Sequence, residues 1–184
     1  MAELADALAS GASDRKIIGV RLPSPAQYIT RYIYQQGNHR TTATNILFMA
    51  ECIFCKIVTK EIPSYLVWEN DRFMAFLDMR PVDPGHMLII PKEHIENIFD
   101  MPDGLYEEIF NLAKALSTPL QKAMGSVRVG MVVEGFGVPH GHVHLVPINK
   151  PHDLDSTRAT SMPAEELAAI AEKIKAEVKK AEIK

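Results

Sequence analysis

The chain has 184 residues, 47% of them hydrophobic and 23% charged, with a formal net charge of -3. That is material for one ordinary globular domain plus an appendage, and it excludes a fibrous or wholly disordered chain. The apolar runs Ile46 to Ala50 and Met87 to Pro91 fall far short of the ~18 residues a membrane helix needs. The mildly acidic balance gives no footprint for nucleic acid or anionic lipid, so any phosphate must be held locally.

In chain order, residues 1–48 come first as a compositional unit. They carry five basic and three acidic residues, and from Arg15 to Ala50 there is no acidic residue at all. Arginine with frequent Ser, Thr, Gln and Asn resembles an organellar transit segment, but Glu3, Asp6 and Asp14 at the start do not fit one. Met49-Ala50-Glu51-Cys52 reads as a natural start. The expectation is a poorly ordered extension over 1–48, with a short helix around Gln27–Tyr34 at most, and one domain over 49–184.

From Met49 onward the pattern is compact. Tyr65–Glu69, Arg72–Asp78 and His86–Ile90 are short runs rich in β-branched, aromatic and large apolar residues. Asn70-Asp71 separates the first two, and Pro81-Val82-Asp83-Pro84-Gly85 separates the next two. Leu105, Ile109, Leu112, Leu116 and Leu120 recur at helical spacing, with Pro119 expected to kink or tighten the end of that helix. Val127, Val129, Met131 and Val133 alternate, which predicts a half-buried strand, and His142–Ile148 predicts the next. Leu167, Ile170, Ala171, Ile174 and Val178 line one face of a last helix. Strands, a helix and strands again predict an antiparallel α+β domain of about five strands and two main helices.

The chemistry concentrates in two places. His140, His142 and His144 fall at i, i+2 and i+4, which in an extended strand puts all three on one face. Three imidazoles together have few bland explanations; a metal site is the main chemical competitor to catalysis. Before them runs Glu134-Gly135-Phe136-Gly137-Val138-Pro139, whose glycines allow main-chain N–H groups to approach an anion. A histidine nucleophile beside such a loop suits attack on phosphorus. The second place is Cys52-x-x-Cys55, half of a zinc site by spacing. By itself the pair also allows two buried free thiols; a redox pair would lack its thioredoxin-like surroundings. Two cysteines do not make a disulfide scaffold, and a reducing, cytoplasmic setting is expected.

His140-Gly141-His142-Val143-His144-Leu145-Val146 resembles the signature of the histidine-triad (HIT) family. The likeness continues through Cys52–Ile57, Glu61-Ile62-Pro63, Ala75-Phe76-Leu77-Asp78 and Gly85–His94 in family order. The resemblance implies an antiparallel sheet flanked by helices, a homodimer and a purine nucleotide site. Residue by residue, it makes His142 the nucleophile on an α-phosphate, with His144, His140 and His86 contacting phosphate or orienting the loop. It puts Asp78 on the ribose hydroxyls, Phe54, Ile57, Ile62, Phe76 and Leu77 around the base, and the backbone of Gly137 and Val138 on phosphate oxygens. It completes the cysteine pair with His94 and His140 as a structural zinc site, with no metal required for the chemistry.

The sequence also departs from the family. Phe136 and Gly137 stand where Gln and Ser or Thr are usual, and Val132-Val133-Glu134 replaces an Asn and a longer Gly-rich loop. The missing amide weighs against cleavage of dinucleoside polyphosphates. The expected function is hydrolysis or transfer on a conjugate AMP–X or GMP–X through a nucleotidyl-histidine. The alternative is a non-catalytic nucleotide-binding homodimer with a sensing or partner-regulating role; a metal sensor built on the triad is a weaker third. No nucleic-acid or membrane partner is expected.

Overall fold

A computed structural model describes residues 52–183. The readings made on residues 1–48, including the helix around Gln27–Tyr34, lie outside the described residues.

A short helix α1 (Ile53–Val58) follows Cys52, and the strands β1 (Leu66–Glu69), β2 (Phe73–Leu77) and β3 (Met87–Pro91) come next. Helix α2 (Asp103–Met124) leads to β4 (Arg128–Val132) and β5 (Val143–Ile148), and α3 (Ala164–Lys180) closes the chain. The five strands form one antiparallel sheet in the order β1-β2-β3-β5-β4. The α+β reading stands, and α1 is the addition: at six residues it is too short to show a helical period.

Strand alternation sorts the apolar side chains to two faces. Phe73, Ala75, Leu77, Met87, Ile89, Val143 and Leu145 join the stripes of α2 and α3 in one core. Met74, Phe76, Leu88 and Ile90 point the other way and pack under α1 with Cys52, Phe54, Cys55 and Ile57. Each large aliphatic side chain so buried contributes about 1.5–3 kcal/mol, so the larger core on the helix side carries most of the stability. The smaller face, with α1 covering part of it, is free to build a cavity.

Asn70 makes the β1–β2 turn by accepting the N–H groups of Arg72 (2.9 Å) and Phe73 (2.8 Å) on its side chain. Helix α2 runs through Pro119, which lies buried, and ends at Gly125 in the left-handed conformation (φ 65). One expectation changes. Val127, Met131 and Val133 are largely exposed, and only Val129 packs against the core. The reason is position: β4 is an edge strand, so its apolar alternation overhangs the core.

Candidate active site

The histidines in sequence register separate into two groups. β5 begins at Val143, so His140 and His142 precede the strand and only His144 follows its alternation. The backbone bends here, with His140 N–H donating to the Val138 carbonyl (2.8 Å) and Gly141 N–H to that of Ile95 (2.6 Å). Gly141 runs so close to the 98–101 segment that a Cβ would lie 2.7 Å from Met101 Cε and 3.1 Å from the Ile98 nitrogen. No larger residue fits that approach. The expected single face of three imidazoles is therefore not formed. His140 turns inward, 0% exposed, whereas His142 and His144 line a cavity.

The hydrogen bonds fix the ring tautomers. His142 Nδ1 lies 2.6 Å from the His140 carbonyl oxygen. A carbonyl only accepts, so Nδ1 carries the proton and the lone pair of the neutral ring sits on Nε2. Val82 N–H donates into His86 Nδ1 (3.2 Å), so the proton of neutral His86 is on Nε2, 2.8 Å from His144 Nδ1. His144 in turn carries its proton on Nε2. Burial pushes His86 below its ordinary range, and burial followed by its two histidine neighbours takes His144 down to about 3. Both rings are neutral. Asp78 Oδ2, 3.8 Å from His86 Nδ1, thus faces an acceptor and makes no ion pair with it. The same chain accounts for the grouping of Asp78, His86 and His144, because both nitrogens of His86 are already engaged.

The cavity has a volume of about 510 Å³ and lies on the α1 side of the sheet. One wall is apolar: Phe54, Ile57, Ile62, Phe76 and Leu77, the residues named by the resemblance, line it with Ile53 and Leu88. Phe54 sits edge-on to Phe76 (centroids 5.7 Å) and to His142 (5.2 Å), which ties the wall to the His142 ring. The polar end holds Asp78, Arg80, His142, His144 and Ser156. Asp78 Oδ1 accepts the Arg80 N–H at 2.8 Å, which holds the carboxylate at the end of β2. Gly137 and Val138 form the rim, and Phe136 stands beside them 96% exposed. Arg80 and Ser156 were not read from sequence, because both lie in loops without periodicity. The nearest signal was Asp155, which caps the turn at Ser156–Arg158 by accepting Thr157 N–H.

Cys52, Cys55, His94 and His140 converge on the other side of α1, with all four ligand atoms within 4.8 Å of one another. Cys55 Sγ lies 3.2 Å from His94 Nδ1, and both sulfurs lie 3.6 Å from His140 Nδ1. His140 Nε2 donates to the Pro91 carbonyl (2.9 Å), so Nδ1 presents its lone pair to the sulfurs. Burial, reinforced by Cys52, pushes the Cys55 thiol up to about 12, and burial brings His140 down to about 4. Two soft sulfurs and two neutral imidazoles, already gathered and oriented, fit a tetrahedral zinc ion, whose charge would convert the thiols to thiolates.

The family model described as HIT domain matches residues 59–151, the stretch from the end of α1 through β5. The chain belongs to the HIT family. Its HIT domain is 41% identical over 106 residues to an uncharacterized HIT-like protein of Borreliella burgdorferi, covering 54% of this chain and 76% of that one. It is 38% identical over 123 residues to the adenosine 5'-monophosphoramidase of Saccharomyces cerevisiae, covering 64% and 73%. Among solved structures, a hypothetical histidine triad nucleotide-binding protein of Sulfolobus tokodaii superposes with a TM-score of 0.64 at 27% identity. That superposition covers 70% of this chain and 93% of the other.

Proposed function

We propose that this HIT domain is a hydrolase or transferase that attacks the α-phosphate of a purine nucleotide conjugate, AMP–X or GMP–X, with an amine or mixed-anhydride X. The observation that carries this reading is the His142 hydrogen bond: Nδ1–H is committed to the His140 carbonyl at 2.6 Å, so the lone pair of the neutral ring lies on Nε2, in a nucleotide-sized cavity. The yeast relative named for adenosine 5'-monophosphoramidase activity supports the phosphoramidate class.

In this mechanism the base lies against Phe54, Ile57, Ile62, Phe76 and Leu77, and Asp78 accepts from the ribose hydroxyls. His142 Nε2 attacks phosphorus; a P–N bond forms and the P–X bond breaks, with its electron pair leaving on X, and an amine X takes a proton from solvent as it departs. His144 Nε2–H and the backbone N–H groups of Gly137 and Val138 face the phosphoryl oxygens, where negative charge is concentrated. The His140 carbonyl stabilises the positive charge on the nucleotidyl-imidazole. Water then attacks phosphorus, the P–N bond breaks, and AMP or GMP leaves with His142 restored; in transfer another nucleophile replaces water. His86 holds His144 and makes no contact with substrate.

Zinc held by Cys52, Cys55, His94 and His140 would supply no chemistry to this reaction. It would tie the start of the domain to the loop that carries His142.

Replacing Asp78 by Ala tests the binding half of the proposal. Loss of a charge-assisted hydrogen bond costs about 1.5–3 kcal/mol, so AMP affinity should fall roughly ten- to a hundredfold in a calorimetric titration. Turnover at saturating AMP-amide should change far less. Equal affinity in parent and variant would remove Asp78 from the site.

The same reading includes a homodimer. The exposed Val127, Met131 and Val133 lie along the open edge strand β4, a surface that isolated chains cover or charge. Sedimentation should give a dimer for the parent chain and a shift toward monomer for Met131→Glu. A monomeric parent would exclude the assembly. Among the described residues no helix is long and apolar enough to cross a membrane.

A further inference from the structure

The family match ends at residue 151, yet the chain continues along the cavity side of the sheet before α3 begins. Residues 149–160 are fastened there at several points. Asp153, 3% exposed, accepts the N–H groups of Asn149 (2.8 Å) and Lys150 (2.9 Å) and the Arg158 guanidinium (2.7 Å). The same Arg158 nitrogen lies 3.3 Å from Asp83 Oδ2, which belongs to the loop between β2 and β3. Thr160 N–H donates to the Pro81 carbonyl (3.2 Å) in that loop. Leu154 lies over Gly130 of β4 so closely that a Cβ there would be 2.6 Å from its Cδ2. Between these fastenings Asp155 caps a single 3-10 turn, accepting from Thr157 N–H (3.0 Å) and Oγ1 (2.7 Å). The first residue of that turn, Ser156, stands in the cavity wall with Asp78, Arg80 and His144.

We propose that residues 149–160 form a strap that completes the polar end of the nucleotide site, that Ser156 hydrogen-bonds the ribose-phosphate part of the ligand, and that Arg158 is the positioning residue that seats it. The inference deepens the nucleotide-site reading and rests on it. A hydroxyl both donates and accepts, so Ser156 suits either a ribose hydroxyl or a phosphoryl oxygen, and both sources share this chemistry. The base cannot be its target, because the base wall is the apolar one built from α1, β2 and Ile62. Arg158 acts at a distance. It joins buried Asp153 on the strap to Asp83 in the loop between β2 and β3, so its loss frees the turn without removing any group from the cavity. The carboxyl of Asp153 is held below the usual carboxylate range, first by the Asn149 N–H and then by its other donors, so the clamp is charged at neutral pH.

Calorimetric titration of the full chain with AMP and with adenosine tests this, using Ser156→Ala, Ser156→Thr, Arg158→Gln and the double variant Ser156→Ala/Arg158→Gln. Ser156→Ala should weaken AMP about three- to tenfold, the usual effect of removing one ligand hydrogen bond, while Ser156→Thr stays within about twofold. Arg158→Gln should weaken AMP by a similar factor, and the double variant no further than the stronger single, because the two residues act through one contact. With AMP-amide the change should appear in KM more than in kcat. If adenosine weakens in parallel, the hydroxyl serves the ribose; if AMP alone weakens, it serves the phosphate. Both results support the strap. Unchanged AMP affinity in Ser156→Ala, in a parent that binds AMP, overturns the Ser156 contact, and additive losses in the double variant overturn the positioning role of Arg158. A parent that binds no AMP overturns the nucleotide-site reading itself, and this inference with it. Should Arg158→Gln fail to fold by thermal melting, the Ser156→Ala and Ser156→Thr pair still decides the contact.

Discussion

Replacing His142 by Asn is expected to lower hydrolysis of an AMP-amide at least about a thousandfold, the scale seen when a catalytic nucleophile is removed. The argument begins with ring geometry. The Nδ1–H bond to the His140 carbonyl puts the lone pair of the neutral His142 ring on Nε2, the nitrogen that would form the P–N bond. His144 cannot take its place, because its Nδ1 lone pair accepts from His86 Nε2–H at 2.8 Å and its other nitrogen carries a proton. His140 cannot either: it is completely buried and faced toward the cysteines. Asn can keep an amide N–H near the carbonyl and preserve the local fold, but it has no nitrogen lone pair able to form the P–N bond. AMP affinity should stay within about threefold, since the ribose and base contacts lie on Asp78 and the apolar wall. Intact-protein mass measured after mixing with an AMP-amide should show a nucleotidyl adduct in the parent and none in the variant. A variant that turns over at the parental rate would exclude the covalent route. It would also revive the binding-module reading, with the observed activity then coming from a contaminant.

Much of the fold was legible because β2 and β3 alternate strictly between two cores, because β5 sends Val143 and Leu145 into the larger one, and because the stripes of α2 and α3 are uninterrupted. The five apolar residues carried over by resemblance line one cavity, together with Asp78, Gly137 and Val138. What could not be read was decided by tertiary contacts. A spacing of two predicts one face only inside a strand, and the close packing of Gly141 against Ile98 and Met101 delays the start of β5 to Val143. His140 is thereby sent to the cysteine cluster. β4 alternates like an internal strand, but nothing in its own residues says that it lies at the edge. Ser156 and Arg80 reach the cavity through loop geometry, which leaves no period in the sequence.

Removing a ligand from the Cys52–Cys55–His94–His140 cluster should show itself in stability first. The purified chain is expected to carry about one zinc ion, retained through dialysis, as elemental analysis can determine. Without a cation the cluster is held by weak contacts: a thiol pushed up to about 12 and an imidazole brought down to about 4 both stay neutral at pH 7. With zinc, four bonds would join α1, the loop after β3 and the turn before β5, three segments far apart in sequence. Cys52→Ala breaks one of those bonds and leaves a cavity where Cys52 is 4% exposed. A loss of roughly 2–4 kcal/mol is expected, which for a domain of this size lowers Tm by about 10 °C. Nucleotide affinity should fall less than twofold, since no cluster side chain enters the cavity. Turnover should fall modestly, because the His140 carbonyl that orients His142 stands on the loosened loop. Chelation of the parent should reproduce the Tm loss, whereas chelation of Cys52→Ala should add little. An active, folded preparation that contains no zinc, and whose Tm is indifferent to chelator and to Cys52→Ala, would reduce the cluster to two buried thiols beside two imidazoles.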